Sequence, residues 1–344
     1  MKRVVIEKPG SFRIGDFPDL QPGEEEVTLD VKACCVCGTD IHLLDGEFKG
    51  AEYPLIPGHE FSGTVREVGP KVSHVKPGDR AAVEPFIACG YCFFCKAGKI
   101  NHCRNGMVIG HTRSKSLRLD GGFSEQVVVP AKNLVPLADT VSFEAGSFIA
   151  NIGTILYALR RTGIDAGVKV LVFGTGANGL IMAELAKKSG AATVVVTGRT
   201  KSRLDVARRM GIDETVLADD RQEENLRRIA PRGFEVIFET TGAVPIVEKA
   251  FRFAAPAGKI VLYGIVPPDQ NASINPFDIC RRDLQVIGSF SSVHTCIMAQ
   301  ELLASGALKV DHLISHRFKL EEWAKAIQTA RDPGKCMRSI VLMN

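Results

Sequence analysis

The sequence predicts an α/β protein in which an irregular, β-rich first region precedes a doubly wound parallel sheet. In the first region, strand-like segments such as VTLDVKA and EQVVVP are separated by Gly and Pro clusters such as IPGHE and VKPGD. From about residue 150, apolar strands such as KVLVFG, TVVVT and FEVIFE alternate with helical patterns. This alternation is typical of a parallel sheet with helices on both faces.

A chain of 344 residues is longer than one that ordinarily folds around a single hydrophobic core, so we expect two domains. After about residue 290 the sequence predicts a helix over 294–305, another near 321–330, and a last strand, RSIVLM. This tail is too short for a domain, and we expect it to pack on the first region. The predicted domains are therefore 1–149 together with 291–344, and 150–290.

Composition and charge exclude several classes of protein. A net charge of +4 with no run of like charges argues against a nucleic-acid partner. The sequence contains no run of 18 apolar residues that would predict a membrane span. The first residues include no apolar leader segment, so we expect a cytoplasmic protein. In that compartment the ten cysteines indicate metal binding rather than disulfides. We expect the scattered Cys280, Cys296 and Cys336 to be small buried apolar residues.

Four cysteines lie close together as Cys89-x2-Cys92-x2-Cys95-x7-Cys103. Four thiolates complete a tetrahedral zinc site and leave no position for a substrate, so this spacing predicts a structural zinc in a lobe over about 86–106. An iron–sulfur cluster is the alternative.

A glycine-rich segment, Gly174-Thr175-Gly176-Ala177-Asn178-Gly179, follows a predicted strand and opens a predicted helix. In this context G-x-G-x-x-G predicts a dinucleotide site, because the backbone can approach a pyrophosphate at the positive end of the helix. The candidate residues are Gly174, Gly176, Ala177, Asn178 and Gly179.

The next strand ends where an NAD enzyme usually carries an acidic residue for the ribose hydroxyls. Here the sequence reads Gly198-Arg199-Thr200-Lys201, with Arg203 close behind. An arginine without a neighbouring carboxylate suits a ribose phosphate, so we predict NADP(H) over NAD(H). The alternative is that these are solvated basic residues at the start of a helix.

A further group comprises Cys37-Gly38-Thr39-Asp40-Ile41-His42 and Gly58-His59-Glu60. The order of CGTDxH, GHE, the four-cysteine segment and GTGANG resembles the zinc-containing medium-chain dehydrogenase/reductase family, over essentially the whole chain. The resemblance implies a GroES-like catalytic domain and a Rossmann domain. It also implies an alcohol, polyol or sugar dehydrogenase that forms homodimers or homotetramers.

The resemblance also implies residue roles. Cys37 and His59 would bind a catalytic zinc, which polarises the substrate oxygen, and Glu60 would be a ligand or its immediate partner. Thr39 would hydrogen-bond the substrate hydroxyl. His42 would relay its proton to solvent, or would merely contact cofactor phosphate or solvent. Further expected cofactor contacts are Thr154, Thr241, Gly264, Ile265, Ser289, Phe290 and Arg338.

One departure from the family lies at Ala150, where a third zinc ligand (Cys, Asp or Glu) is usual, and Asn151 stands where a proline often follows. Three explanations remain open. Cys37, His59 and Glu60 hold zinc with water or substrate as the fourth ligand; Asn151, Cys34 or Cys35 substitutes; or the catalytic zinc is lost. In the last case the chain would be a metal-free NADPH reductase or a non-catalytic dinucleotide-binding protein.

A second departure is the basic loop that precedes Gly121 and carries His111, Arg113, Lys115 and Arg118. It is a candidate contact for an acidic or phosphorylated substrate, with a solvated surface loop as the alternative.

Overall fold

The computed structural model describes residues 1–112 and 119–343. The chain divides into two compact units, one comprising Met1–Gly153 with Ser292–Asn344 and the other Thr154–Ser291. The predicted domain limits, after residues 149 and 290, fall four residues and one residue before these boundaries.

The N-terminal part of the first unit is mainly β-structure with short helices. Its elements are β1 (Lys2–Lys8), β2 (Ser11–Asp16), β3 (Glu26–Cys35), α1 (Gly38–Asp45), β4 (Phe61–Val68), β5 (Arg80–Val83), β6 (Phe86–Ile87), α2 (Phe93–Lys96), β7 (Met107–Val108), β8 (Gln126–Pro130), β9 (Leu134–Pro136), α3 (Phe143–Gly146) and α4 (Ile149–Thr162), the last of which continues into the second unit.

The second unit alternates strands and helices. It contains β10 (Lys169–Phe173), α5 (Ala177–Lys188), β11 (Thr193–Gly198), α6 (Lys201–Arg209), β12 (Glu214–Leu217), α7 (Gln222–Ile229), β13 (Phe234–Glu239), α8 (Val244–Phe253), β14 (Ala254–Leu262), α9 (Pro276–Arg281) and β15 (Gln285–Gly288). All neighbouring strands are parallel, in the order β12-β11-β10-β13-β14-β15. Because helices cover both faces, the central strands are runs of buried aliphatic residues such as Val194–Val196. The predicted doubly wound sheet is confirmed.

The C-terminal segment returns to the first unit with α10 (Cys296–Ala304), β16 (His316–Lys319), α11 (Trp323–Ala330) and β17 (Ser339–Leu342). β17 pairs antiparallel with β3, with Val341 opposite Cys34, and β16 pairs parallel with β17. Both helices start two residues later than the sequence predicted. The residues before α11 form a tight 3-10 turn over Leu320–Glu322 instead.

The first unit is built on one sheet of order β16-β17-β3-β4-β5-β9, with β8 also paired to β3. Its apolar core gathers β-strand residues with the C-terminal segment. Trp323, fully buried, packs edge-on against Phe12 and Phe123 at ring distances of 4.9 and 5.8 Å. Within the described residues, no helix combines the length and the apolar character needed to cross a membrane.

Candidate metal and dinucleotide sites

The four clustered cysteines meet in a lobe between β6 and β7. Cys92 caps the start of α2, and the sulfur of Cys95 lies 3.6 Å from that of Cys92 and 3.9 Å from that of Cys89. The sulfur of Cys103 lies 3.9 Å from that of Cys92. Four thiolates about 2.3 Å from a tetrahedral zinc ion would be roughly 3.8 Å apart, so the observed sulfurs fit this ion.

Backbone N–H groups in this lobe donate hydrogen bonds to the cysteine sulfurs and so favour the thiolate form that binds a cation. The backbone N–H groups of Cys95 and Arg104 lower the pKa of the Cys92 thiol to about 6, because they stabilise the thiolate. The backbone N–H of Cys89 donates to the Cys103 sulfur at 3.3 Å. Hydrogen bonds of this kind orient metal-bound thiolates.

The second candidate metal group lies in the same unit and consists of Cys37, His59 and Glu60. Their potential ligand atoms all lie within 4.8 Å of one another. Cys37 precedes α1, and the other two residues immediately precede β4. His59 Nε2 is 3.7 Å from Glu60 Oε1. Ligands about 2.0–2.1 Å from a tetrahedral zinc would be separated by roughly 3.4 Å, so a small closure of this pair suffices.

Asp40 fixes the backbone that carries both segments of this group. Its fully buried carboxylate accepts the backbone N–H of Cys37 at 2.8 Å and that of Gly58 at 3.1 Å. Its Oδ1 also lies 3.9 Å from His59 Nδ1. Burial raises the pKa of Asp40 to about 6, although the charge of His59 opposes this rise. Through its hydrogen bonds with Cys37 and Gly58, Asp40 ties the start of α1 to the segment before β4.

The electrostatics of this group favour a bound cation. Burial disfavours the charged imidazole, but the neighbouring Cys37, Asp40 and Glu60 together outweigh this effect, and the pKa of His59 rises to about 10. The groups around His59 therefore favour a positive charge at this position, which a bound metal ion would supply.

Both oxygens of the buried Glu60 carboxylate accept a hydrogen bond. Asn151 Nδ2 donates to Oε1 at 2.9 Å, and Arg338 Nη1 donates to Oε2 at 3.2 Å. Arg338 was predicted as a cofactor contact. The structure buries it beside Glu60, where it also donates to the carbonyl of Val36 at 3.1 Å. Its predicted cofactor contact stays a prediction.

The two residues expected to handle the substrate proton lie along α1. Thr39 Oγ1 is 3.8 Å from the Cys37 sulfur, which places this hydroxyl beside the metal group. His42 lies further along α1, with a side chain 57% exposed, and its Nδ1 forms a 2.7 Å hydrogen bond with Glu47 Oε2. His42 therefore has access to solvent, and one of its nitrogens has a carboxylate partner.

His111 also lies near the metal group. Its ring meets that of His59 edge-on at 5.6 Å and that of Phe48 at 5.0 Å. Burial lowers the pKa of His111 to about 3, and His59 adds to this effect, so the ring is neutral. The loop residues Arg113, Lys115 and Arg118 fall outside the described residues.

The predicted dinucleotide loop joins β10 to α5 in the second unit. Gly174 has a φ of +115°, and a Cβ there would lie 2.4 Å from Thr240 Oγ1, so this close approach requires glycine. Gly176 caps α5, and a Cβ on it would meet nothing nearer than 3.9 Å. The helix start thus leaves room for an anion, and the N–H groups of a first helical turn suit a pyrophosphate. Ala177, Asn178 and Gly179 form the first turn of α5.

Basic residues follow the end of β11. Gly198 ends that strand, and Arg199 and Lys201 are exposed at the start of α6. Arg203 Nη1 lies 3.9 Å from the position of a Cβ on Gly176, so this guanidinium reaches the dinucleotide loop.

A buried carboxylate organises the neighbouring loops of the second unit. Glu239 Oε1 accepts the backbone N–H groups of Thr241 at 2.6 Å and Gly242 at 3.1 Å. Gly264 packs against this turn, because a Cβ there would lie 2.2 Å from the backbone nitrogen of Gly242. Hydrogen bonds and close packing therefore hold the loop that carries the predicted residue Thr241.

The remaining predicted cofactor contacts also lie in the second unit. The Thr154 hydroxyl hydrogen-bonds that of Tyr263 at 2.8 Å. Ile265 and Phe290 are 84% and 54% exposed. Ser289 donates its backbone N–H to Leu262 at 3.1 Å, just after β15. The structure brings these residues to the same end of the parallel sheet, beyond the carboxyl ends of its strands.

The sequence did not predict the roles of two residues that support the metal group. Asn151 was considered only as a weak ligand, and Asp40 was given no role. The capping position of Asp40, three residues after Cys37, was a readable signal for its bond to the Cys37 backbone. The contact between Asn151 and Glu60 spans 91 residues, and no local pattern indicates it.

This chain is similar to known proteins over nearly its whole length. Residues 23–139 match the alcohol dehydrogenase GroES-like domain, and residues 177–305 match the zinc-binding dehydrogenase domain. D-arabinitol dehydrogenase 1 of Uromyces fabae is 31% identical, covering 100% of this chain and 97% of its own length. Sorbitol dehydrogenase of Gallus gallus is 32% identical, covering 95% of this chain and 92% of its own.

A solved structure is also similar to this chain. A putative zinc-binding dehydrogenase from Sinorhizobium meliloti 1021, bound to NADP, superposes with a TM-score of 0.92 at 34% identity, covering 99% of this chain and 98% of its own. The fold and metal groups thus define an oxidoreductase of the alcohol and polyol dehydrogenase class. The chain belongs to the zinc-containing medium-chain dehydrogenase/reductase family, which confirms the predicted GroES-like and Rossmann architecture.

Proposed function

We propose that this chain is a zinc-dependent dehydrogenase that transfers hydride between NADP(H) and a hydroxyl or carbonyl group of an alcohol, polyol or sugar-type substrate. The observation that carries the proposal is the convergence of Cys37, His59 and Glu60, with ligand atoms within 4.8 Å. The sorbitol and D-arabinitol dehydrogenases that resemble the chain support a polyol substrate.

The donor set suits a catalytic zinc. A thiolate, an imidazole and a carboxylate are ordinary zinc ligands, and three protein ligands leave a position for substrate. Zinc held there would polarise the substrate oxygen and favour loss of the hydroxyl proton. This is the first of the three explanations for Ala150. Cys89, Cys92, Cys95 and Cys103 would hold a separate structural zinc.

The chain supplies a route for the substrate proton. The Thr39 hydroxyl, beside the Cys37 sulfur, would accept a hydrogen bond from the substrate hydroxyl. The exposed His42 would pass the proton to solvent, while Glu47 fixes the orientation of its ring. Oxidation of an alcohol needs such an outlet because it releases a proton as well as a hydride.

The basic residues after β11 support a preference for NADP(H). Arg199 can form a bidentate contact with a ribose phosphate, and Lys201 adds charge. The NADP bound to the Sinorhizobium meliloti relative supports the same cofactor. Arg199→Ala should lower kcat/KM for NADP+ by about 10- to 100-fold, as expected for loss of a charged hydrogen bond. kcat/KM for NAD+ should change little, and Arg208→Ala, in the last turn of α6, serves as the control. Equal use of both cofactors by the wild type would refute this preference.

Metal analysis and activity together test the central proposal. We expect two zinc ions per purified chain by elemental analysis, and oxidation of sorbitol or D-arabinitol class polyols with NADP+. Cys37→Ala and His59→Ala should each lose one zinc and the activity. A wild type with one zinc, or variants with wild-type kcat, would instead favour the metal-free reductase or the non-catalytic dinucleotide-binding protein.

The edge of the parallel sheet supports a homo-oligomer. β15 is the last strand in the order, its Val286 is 43% exposed, and Phe277 of α9 is 70% exposed. An exposed edge strand with apolar side chains is suited to pairing with a second copy. We therefore propose a homodimer or homotetramer. Val286→Lys should shift the mass of the protein, measured by light scattering, toward that of the monomer.

A cytoplasmic location and the division into a catalytic domain, 1–149 with 291–344, and a dinucleotide-binding domain, 150–290, remain predictions.

A further inference from the structure

The first turn of α4 bears on the missing zinc ligand. The position at which the family carries a third ligand is Ala150, whose methyl group has no donor atom. The next residue, Asn151, is buried and directs its side-chain amide at Glu60. The two residues share one helical turn because α4 begins at Ile149. The turn that would supply a ligand therefore supplies a hydrogen-bond donor instead.

The oxygen that receives this hydrogen bond is the one that faces the metal group. Asn151 donates to Glu60 Oε1, and the same Oε1 lies 3.7 Å from His59 Nε2. A carboxylate oxygen has two lone-pair directions, so Oε1 can accept the amide N–H and still bind a cation. The amide thus fixes the direction of the remaining lone pair.

The second oxygen is held from the opposite side. Arg338 donates to Oε2 at 3.2 Å and to the carbonyl of Val36 at 3.1 Å. Its guanidinium lies 5.4 Å from the ring centroid of Phe148, a fully buried residue. With one donor on each oxygen, the Glu60 carboxylate has a single orientation, which a monodentate ligand needs.

We propose that Asn151 is a positioning residue that holds Glu60 as the third protein ligand of the catalytic zinc, and so replaces the ligand missing at Ala150. Its amide acts as a hydrogen-bond donor to the ligand and does not itself bind the metal. The inference rests on the proposed function, since it assumes a metal ion at Cys37, His59 and Glu60.

Zinc affinity, rather than activity, is the decisive measurement. Wild type and variants are stripped and reloaded, and the weaker of the two zinc sites is titrated against a competing chelator. Asn151→Ala should bind this zinc about 10- to 100-fold more weakly, the usual cost of losing a partner of a metal ligand. Cobalt substitution provides a second readout, because the visible absorption of the bound ion should change as Glu60 loses its fixed orientation.

Asn151→Asp separates positioning from direct ligation. An aspartate cannot donate to Glu60 and places a like charge beside it, so our proposal predicts weaker zinc binding, as in Asn151→Ala. If the Asn151 oxygen were a ligand, the carboxylate would be the better donor and affinity would rise. A rise in Asn151→Asp, or an unchanged affinity in Asn151→Ala, would overturn the proposal while leaving the proposed function intact.

Asn133→Ala is the matched control. Asn133 is another buried amide of the first unit, and it donates to the backbone carbonyls of Glu84 and Phe86. Its loss should lower thermal stability but leave both zinc affinities unchanged. A wild type that binds a single zinc at saturation would refute the proposed function, and the role of Asn151 with it.

Discussion

The two metal groups of the first unit are built in opposite ways. The four cysteines of the lobe come from one short segment, residues 89–103, and their sulfurs already stand at zinc-binding separations. The Cys37 group draws its ligands from two segments. Its supports, Asn151 and Arg338, lie 91 and 278 residues from Glu60 in sequence. One group is local and closed, and the other is dispersed and open.

This difference reflects what each metal would do. Four thiolates saturate a tetrahedral ion, so the lobe can only cross-link its own segment and stabilise it. An open site must hold three ligands in position while one coordination position exchanges, and this requires support from rigid elements around it. The dispersed group obtains that support from α1, the segment before β4, α4 and the C-terminal segment.

The largest expected effects are reciprocal losses in the two groups. His59→Ala should lower kcat/KM about 10³-fold or more, since a metal contributes several kcal/mol to the reaction, while the melting temperature changes little. Cys92→Ala should instead expose the lobe to limited proteolysis near residues 86–106. Both variants should retain one zinc per chain.

The identity of the retained zinc tests whether the two metal groups bind their ions independently. Cobalt-loaded His59→Ala should keep the strong thiolate charge-transfer bands of a four-sulfur site, and Cys92→Ala should lose them. If proteolysis of the lobe is unchanged in Cys92→Ala, the lobe does not depend on a metal and its structural assignment is wrong.

The same contrast explains which parts of the site the sequence predicted. The lobe and the G-x-G-x-x-G turn are contiguous, so their spacing alone indicates the geometry. The resemblance to the family implied a cofactor contact for Arg338, and that contact stays a prediction. The contacts of Arg338 with Val36 and Glu60 were not predicted, because its neighbours in sequence do not reveal that β17 pairs with β3. Long-range strand pairing determines such contacts, and a single sequence does not encode them in a local pattern.

Burial was predicted for the three scattered cysteines, and two of these predictions are confirmed. Cys296 and Cys336 are buried as expected, but Cys280 is exposed, so its prediction as a buried apolar residue was wrong. Cys280 lies in α9, a six-residue helix in which no residue is buried. So short a helix presents little amphipathic pattern from which the buried face could be predicted.

A smaller effect is expected from the proton route, which only the open group needs. His42→Gln should lower kcat/KM for alcohol oxidation by up to about 100-fold near pH 7, because the relay to solvent is lost. The deficit should shrink as the pH rises, since hydroxide can then accept the proton directly. The measurement is the pH profile of kcat/KM between pH 6 and 9, with zinc content as the control. A deficit that stays constant across this range would mean that His42 has another role.

The smallest expected effect concerns a distant ion pair, on which the metal group of Cys37, His59 and Glu60 could also depend. Arg331, just after α11, donates to both carboxylate oxygens of Asp45 at the end of α1, at 2.6 and 2.7 Å. The hydrogen bond from Arg331 lowers the pKa of Asp45. A carboxyl group with a lowered pKa in the folded state stabilises the fold above its ordinary pKa, and this contribution is lost as the pH falls through the lowered value.

Arg331→Met should therefore reduce the free energy of unfolding at pH 7 by at most about 1 kcal/mol, since the pair is partly exposed. The difference from wild type should disappear in acid. Arg317→Met, which removes a similar bidentate pair with Glu144 away from α1, is the matched control. If Arg331→Met alone also weakens zinc binding or slows turnover, the pair helps to position α1. If the two variants behave alike, the support of the open group ends with Asp40, Asn151 and Arg338.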